Sequence, residues 1–281
     1  MSAESGVQLR DVPGPSALGG GWHRFFELLW LISTTEFKKT YFGTVFGYAW
    51  SLVRPLALFG VLLVVFTKIF RLGSDVPNYP VLLLFNLVVF TFFQEATGAA
   101  VSSVLAQEGI VRKTQFPRLV IPLAVVLNAL FTLGLNLIAV FAFILIYGVD
   151  PTWTWLLLPV VLLPLLVLTS ALALLLSVTN VRFRDVTIIW TVVATVLMYG
   201  TPILYTIDVV PAGLRDVFLA NPLTPIFTQA RAWIIDPTAP SAVGAAGGLA
   251  HLLPSMVIYL CICVVGVWTF WREAPQVAEA L

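Results

Sequence analysis

The densest cluster of charged and apolar side chains lies between residues 107 and 118, in a short polar segment between two long apolar stretches. Its basic residues are Arg112, Lys113 and Arg118, and they are interleaved with Ile110, Val111, Phe116 and Pro117. A short helix of this composition would present an apolar plug surrounded by charge, which suits insertion into the groove of a partner protein. A basic loop whose charge only orients the neighbouring membrane segments would look the same, so the residues themselves support both interpretations.

Glu95, beside Gln94, is the one ionisable residue well inside a predicted membrane span. An acid at that depth is energetically costly, so it could be the ion site of an ion-coupled carrier. Gln94, Thr91 and Thr97 could equally hold a protonated Glu95 in a contact between helices, and we favour this structural role.

Residues for enzymatic chemistry are scarce. The chain has only two histidines, 228 positions apart, and lacks the motifs HExxH, CxxC and GxSxG. Asp208, Asp216 and Asp236 could act on a glycan, although such acids more often cap helices and solvate loops. Cys261 and Cys263 would point about 200° apart on a helix, which disfavours a disulfide or a shared metal. We therefore predict no catalytic and no metal-binding residue.

A nucleotide-hydrolysing motor is not encoded in this sequence either. No Gly-Lys dipeptide occurs, so the phosphate-binding loop GxxxxGK[ST] is absent. If ATP drives this protein, another chain must bind it. The formal net charge of +1 also argues against a nucleic-acid partner, which would require a concentrated basic surface.

The elements that position these residues follow from the distribution of charge. The chain is 59% hydrophobic and 10% charged, whereas a soluble domain carries about 25% charged residues. Uncharged intervals between residues 118 and 150, 150 and 182, 185 and 208, and 236 and 272 each hold one helix of the ~20 residues that a bilayer requires. Residues 55–70 and 80–106 supply two more, so the sequence predicts an all-α membrane protein with six transmembrane helices.

The basic residues predict the orientation, because cytoplasmic loops retain Lys and Arg. With both termini in the cytoplasm, eleven of the fifteen basic residues lie on that side: Arg10, Arg24, Lys38, Lys39, Arg54, Arg112, Lys113, Arg118, Arg182, Arg184 and Arg272. The other side holds Lys68, Arg71, Arg215 and Arg231. We therefore expect residues 1–21 and 272–281 to be cytoplasmic tails.

Two further segments are amphipathic. Residues 22–50 predict a helix lying in the membrane interface, since Phe37, Tyr41 and Val45 recur at four-residue spacing; a soluble lead-in helix is the alternative. Five prolines divide residues 207–240 into pieces such as 213–220 and 224–235, each suited to a short helix. These helices could re-enter the membrane where protein or a water-filled cavity covers them, or could form a surface loop.

Three blocks of the sequence resemble the permeases of type-2 ABC exporters of O-antigen, teichoic acid and related polysaccharides. They are Ile-Val-Arg-Lys-x-x-Phe-Pro-Arg at 110–118, the junction at 41–56, and Pro-Ile-Leu-Tyr at 202–205 with Asn-Pro-Leu-Thr-Pro at 221–225. The similarity extends over nearly the whole chain, with the six-span plan in family order. The sequence departs from the family at Phe42 and Gly43, where other members often carry polar or basic residues.

The resemblance implies an exporter in the bacterial cytoplasmic membrane. It would be built from two copies of this chain, with residues 51–271 as the transmembrane domain, and two cytoplasmic ATPase subunits. ATP and Mg would be bound by the ATPases, and this chain would bind no cofactor. The implied ATPase-coupling residues are Glu108, Ile110, Val111, Arg112, Lys113, Phe116, Pro117 and Arg118. The helices of 207–240 would gate the exit.

The cargo implied by the resemblance is a polysaccharide linked to a polyprenyl pyrophosphate, moving through a channel between the two copies. Aromatic rings can stack on sugar faces, and the candidates are Phe90, Phe92, Phe93, Trp190, Tyr199 and Tyr205. Cations near the cytoplasm could bind the pyrophosphate, and the candidates are Arg54, Arg182 and Arg184.

Overall fold

Long runs of Leu, Val, Ile, Phe and Ala form the helices that dominate the structure, because a backbone within a bilayer must satisfy its own hydrogen bonds. The computed structural model describes residues 21–41, 47, 49–69, 76–107, 109 and 117–274, and within these residues it is all-α. The α-helices are α1 (Gly21–Tyr41), α2 (Ala49–Val64), α3 (Tyr79–Ala106), α4 (Val120–Tyr147), α5 (Leu158–Arg182), α6 (Val186–Gly200), α7 (Ala212–Ala220), α8 (Leu223–Ala230), α9 (Ala242–Ala246) and α10 (Leu253–Glu273). Shorter helical turns flank them at Val65–Ile69, Trp153–Leu157, Ile207–Val209, Arg231–Ile235 and Leu249–Leu252.

The described residues contain five helices that are long and apolar enough to cross a membrane. They are Ala49–Ile69, Tyr79–Ala106, Val120–Tyr147, Trp153–Arg182 and Leu249–Glu273. The prediction of an all-α, multi-pass membrane protein is confirmed. The fifth predicted span in chain order, in the interval 185–208, corresponds to the shorter apolar helix α6.

Helix α6 ends earlier than the uncharged interval up to residue 208 suggests. Its 15 residues extend about 22 Å, less than the ~30 Å of a hydrocarbon core. Thr201 is extended (φ −110°, ψ 143°) because it precedes Pro202, and proline disfavours the helical conformation of the residue before it. The amide of Asn221 donates to the Gly200 carbonyl at 3.3 Å and to the Thr201 hydroxyl at 2.8 Å, which satisfies the helix end.

Helix α3 is the centre of the protein. It packs against α2, α4, α5 and α6, and its side chains are buried along most of its length. Helices α2 and α10 lie at the periphery and expose most of their apolar residues. Their outward faces must therefore be covered by lipid or by another protein.

Helix α1 packs along the first half of α4. The Ser33 hydroxyl donates to the Ala124 carbonyl at 3.2 Å, and the hydroxyls of Tyr41 and Thr132 lie 3.0 Å apart. Phe37 and Tyr41, two of the residues from which an interfacial helix was predicted, pack on α4, and the third, Val45, lies outside the described residues. The interfacial position of α1 stays a prediction. The large exposed side chains on α1 are Trp22, Phe26, Trp30 and Leu31.

The short helices α7 to α9 cover the end of the bundle where α3 begins. Tyr79 donates to the Leu204 carbonyl at 2.7 Å, and Asn86 donates to the Ile203 carbonyl at 3.2 Å. The ring of Phe227 in α8 lies 6.4 Å from the ring of Phe90. Phe90 is eleven residues, or about 16 Å along the helix axis, from Tyr79, the first residue of α3. The Phe227 side chain therefore reaches to rather less than half of the length of α3. The predicted pieces 213–220 and 224–235 agree closely with the observed helices Ala212–Ala220 and Leu223–Ala230 and the turn Arg231–Ile235.

Candidate functional site

The predicted coupling segment connects the end of α3 to the start of α4. Six of its eight candidate residues lie outside the described residues: Glu108, Ile110, Val111, Arg112, Lys113 and Phe116. Pro117 is buried and Arg118 is half-buried just before α4. The carbonyls of Pro117 and Arg118 accept hydrogen bonds from the backbone amides of Val120 and Ile121, at 2.9 and 3.2 Å, so this end of the segment is fixed to the first turn of α4. Its role in binding a partner stays a prediction.

The middle of α3 has one side that no other described helix covers. We call the side chains of Thr91, Gln94, Glu95, Gly98 and Ser102 the open face of α3. Gly98 and Ser102 are exposed, and the other three are half-buried. The remaining sides of α3 pack on α4, α5, α2 and α6.

The open face lies between α6 and α2. Trp190 of α6 donates its indole N–H to the Thr97 hydroxyl at 3.1 Å and packs its ring 6.2 Å from Phe93. At about 100° per residue, Gln94 lies about 100° and Glu95 about 200° around α3 from Phe93. The open face therefore begins beside α6 and ends at the contact with α2.

The contact with α2 is an ion pair. A guanidinium nitrogen of Arg54 lies 3.4 Å from Oε1 of Glu95, and the side chains are 82% and 41% exposed. The pair is accessible from outside the chain, in contrast to the buried residues on the opposite side of α3. An ion pair with this exposure adds little to stability in water, but the attraction strengthens as water is removed.

The aromatic residues proposed to stack on a glycan lie mostly behind this face. Phe90, Phe92, Phe93 and Trp190 are buried in the core of the chain. The centroid of the Phe93 ring lies 5.7 Å from that of Phe90 and 6.2 Å from that of Trp190. In this conformation these four rings are packing residues.

The two candidate tyrosines lie at the far end of α6. Tyr199 is exposed, and Tyr205 is half-buried with its hydroxyl donating to the Tyr199 carbonyl at 2.6 Å. The Tyr199 side chain is therefore the one candidate ring that is mostly accessible.

The other candidate cations lie near the ends of α5 and α10. Arg182 forms an ion pair with Glu273 at 3.8 Å, and Glu273 also lies 4.0 Å from Arg272. Arg184 is exposed in the turn between α5 and α6. The structure thus places these arginines at one end of the bundle, whereas Arg54 lies beside the middle of α3.

The outer acids are engaged in ion pairs. Asp208 lies 3.7 Å from both Arg215 and Arg231, and Asp236 lies 3.7 Å from Arg231. Asp216 lies 3.5 Å from His251. The hydroxyl of Thr238 also donates to Asp236, at 2.5 Å. These contacts link α7 to the helical turns at Ile207–Val209, Arg231–Ile235 and Leu249–Leu252. They support the structural interpretation of the acids over a catalytic one.

The open face of α3 was not predicted as a unit from the sequence. A signal was present, because polar or small residues recur at the three- and four-residue spacing of one helical face. The sequence did not indicate which side of this apolar helix the other helices would leave uncovered.

Comparison with known proteins identifies relatives over most of this bundle. A family model described as ABC-2 type transporter matches residues 27–235. A curated protein of Klebsiella pneumoniae named O-antigen export system permease protein RfbA is 30% identical over 199 residues, covering 70% of this chain and 76% of the relative. A protein of the same name from Myxococcus xanthus is 29% identical over 254 residues, covering 90% of this chain and 92% of the relative. The family match includes the segment 107–118 and the open face of α3.

Proposed function

The chain belongs to the family of ABC-2 type transporters, and on this basis we propose that it is the membrane subunit of an ATP-driven exporter of lipid-linked polysaccharide. The cargo class is that of the relatives named O-antigen export permeases, or a related cell-wall glycan such as teichoic acid or galactan. The exporter operates in the cytoplasmic membrane of a bacterium. The observation that carries the proposal is similarity to these permeases along 90% of the chain.

The power for transport comes from a separate protein in this proposal. The sequence has no Gly-Lys dipeptide to build a phosphate-binding loop, so ATP and Mg bind to two cytoplasmic ATPase subunits. Each ATPase receives the segment 107–118 of one permease copy. Its apolar residues and its three basic residues suit a groove in a partner.

The cytoplasmic position of this segment follows from the orientation with both termini inside. Eleven of fifteen basic residues lie on that side. Two copies of the chain form the channel between them, and Arg54, Arg182 and Arg184 attract the pyrophosphate of the cargo. The helices of residues 207–240, α7 and α8, close the outer end.

Copurification tests the partner directly. A tagged chain extracted in mild detergent from its native host is expected to bring with it a soluble ATPase, and deleting that ATPase should stop polysaccharide export and leave lipid-linked glycan inside the cell. Recovery of the chain without an ATPase, together with unchanged export in the ATPase deletion, would contradict the proposal.

The coupling segment is tested by substituting Arg112, Lys113 and Phe116 together with Ala. We expect membrane insertion to persist and export to be lost, because the ATPase no longer transmits its closure to the spans. Arg272→Gln is the matched control, since Arg272 is an exposed arginine on the same predicted side and outside the segment. Normal export by the triple variant would exclude the coupling role.

An ion-coupled carrier is the second candidate, because Glu95 is an accessible acid in the middle of a membrane helix. Glu95→Gln discriminates between the two functions. Gln keeps the hydrogen-bonding capacity of this side chain and removes only its ionisable group. The ATP-driven exporter is therefore expected to retain most of its transport in this variant, whereas a carrier that uses Glu95 as its ion site loses it.

A further inference from the structure

We propose that the open face of α3 is the water-filled wall of the export path and that it binds the hydroxyl-rich part of the cargo through hydrogen bonds. The inference rests on the exporter function proposed above and adds the surface and the type of contact. In this proposal the cargo contacts the polar residues of the open face, whereas the buried aromatic residues on the other side of α3 only pack in the core.

The first argument is depth. Helix α3 has 28 residues and is about 42 Å long. When it is centred on a ~30 Å hydrocarbon core, Thr91 lies near the midplane and Ser102 near one boundary. The open face therefore extends over half the thickness of the membrane.

The second argument is polarity at this depth. Among the residues that the structure describes, the side chain of Gln94 forms no hydrogen bond, and Glu95 has Arg54 as its partner. Lipid cannot supply hydrogen bonds to such groups, so polar side chains within membranes face protein or water. Something other than lipid must cover this face.

The third argument is that α6 extends the polar surface. Thr187, Thr191 and Thr195 are exposed and follow one another at four-residue spacing. Helix α6 is antiparallel to α3, because Trp190 contacts Thr97 while Ile203 contacts Asn86. Thr187 and Thr191 lie about 60° to 100° around α6 from Trp190, on the side that continues the open face. The polar surface therefore consists of two adjacent rows of side chains, the open face of α3 and the three threonines of α6.

The chemistry of these groups matches a polyhydroxylated chain. Thr91, Thr191 and Thr195 donate their hydroxyl protons to backbone carbonyls of their own helices, at 2.8, 2.9 and 2.9 Å. Their lone pairs remain free to accept hydrogen bonds from sugar hydroxyls, and the Gln94 amide can both donate and accept. The Arg54–Glu95 pair is neutral as a whole, so the surface does not hold a hydroxyl-rich polymer by net charge.

Thiol accessibility in membranes tests the inference. The native thiols are first removed by Cys261→Ala and Cys263→Ala, and single cysteines are then introduced by Gln94→Cys and Ser102→Cys. Ile138→Cys is the lipid-facing control, because Ile138 is 68% exposed on the apolar surface of α4. A charged, water-soluble methanethiosulfonate reagent modifies thiolates, which form only in contact with water.

We expect the cysteines of the open face to react at least about tenfold faster than the Ile138→Cys control in vesicles that carry the full transporter, and their modification to stop export. Rates equal to that of the control would overturn the inference, whether lipid or a tightly packed second copy covers the face. The proposed function is contradicted by a different result: the chain copurifies with no ATPase, and export is unchanged when the ATPase is deleted. Equal thiol rates with intact ATP-dependent export therefore reject the wall and keep the exporter.

A conservative pair of variants adds a second readout. Gln94→Leu is expected to reduce export several-fold while the complex still assembles and hydrolyses ATP, because leucine cannot bond to a sugar hydroxyl. Gln94→Asn retains the amide and should restore most of the export. Equal export by all three proteins would also overturn the inference.

Discussion

Replacement of Gly266 by Ala tests a close backbone contact between α10 and α5. A Cβ atom at this position would lie 2.4 Å from the carbonyl oxygen and 3.0 Å from the carbonyl carbon of Ala171. Carbon and oxygen approach to about 3.3 Å in the closest ordinary contacts between helices, so α10 would have to move away from α5 by about 1 Å. The obstacle is backbone, which cannot rotate aside as a flexible side chain could.

The expected cost follows from overpacking, which destabilises a well-packed interior by about 1–3 kcal/mol. Small residues at contacts of membrane helices allow this backbone approach. Helix α10 packs mainly on α5 and exposes most of its other surface, so the contact cannot be replaced elsewhere. The loss should appear as a lower unfolding midpoint in mixed micelles, by about 2–4 °C per kcal/mol if the protein behaves like a soluble domain of similar size.

Gly134→Ala is the matched control. Gly134 lies in the transmembrane helix α4, and a Cβ at this position would meet no atom within 4 Å. Because Ala is the better helix former, this variant should keep or raise the midpoint. Equal midpoints for the two variants would refute the argument that the approach of α10 to α5 depends on the missing Cβ.

Three further substitutions test polar contacts, each measured as a shift of the same unfolding midpoint. Arg231→Met leaves the buried carboxylate of Asp236 without its cation and should destabilise the protein by about 3 kcal/mol. Arg215→Met changes a more exposed arginine and should cost at most about 1 kcal/mol. Equal losses would contradict the role of burial. Asn221→Ala removes the bonds to the end of α6 and to the Leu223 amide and should cost about 1–3 kcal/mol, with Asn221→Asp in between because it retains the acceptor for Leu223. Trp190→Phe keeps most of the packing and deletes one hydrogen bond to α3, so a loss of about 0.6 kcal/mol is expected, and a much larger loss would show that the indole does more than donate this bond.

The membrane spans could be predicted from the sequence because charge is excluded from the hydrocarbon core. The uncharged intervals located α4, α5 and α10, and the prolines located α7 and the start of α8 to within one or two residues. Helix α9 was not predicted, because it lies in the interval 236–272, which was interpreted as a single span. The length of α6 could not be predicted from charge, because Pro202 ends the helix while the chain continues without charge to Asp208. The Ile203 and Leu204 carbonyls after α6 accept hydrogen bonds from Asn86 and Tyr79 of α3, so they need no further helical turn to satisfy them.

The environment of the aromatic residues could not be predicted for a different reason. Helix α3 is apolar on nearly all sides, so its sequence does not indicate which side meets α4 and α5 and which is left uncovered. Phe90 and Phe93 are buried because α6 and α8 pack over them. That arrangement depends on contacts between residues more than ninety positions apart, which periodicity within one helix cannot report.

The polar groups of α3 show why its open face needs a partner from outside the described chain. Two covered polar side chains of α3 have partners within the chain: the Thr97 hydroxyl accepts the Trp190 indole N–H, and the Asn86 amide N–H donates to the Ile203 carbonyl. Gln94 lies on the same helix at similar depth and forms no side-chain hydrogen bond among the described residues. An amide that loses its water without gaining a partner costs more than one hydrogen bond contributes, and lipid on this face would remove that water. The open face is therefore adapted to an environment that supplies hydrogen bonds, and the water-filled path proposed above would supply them where lipid cannot.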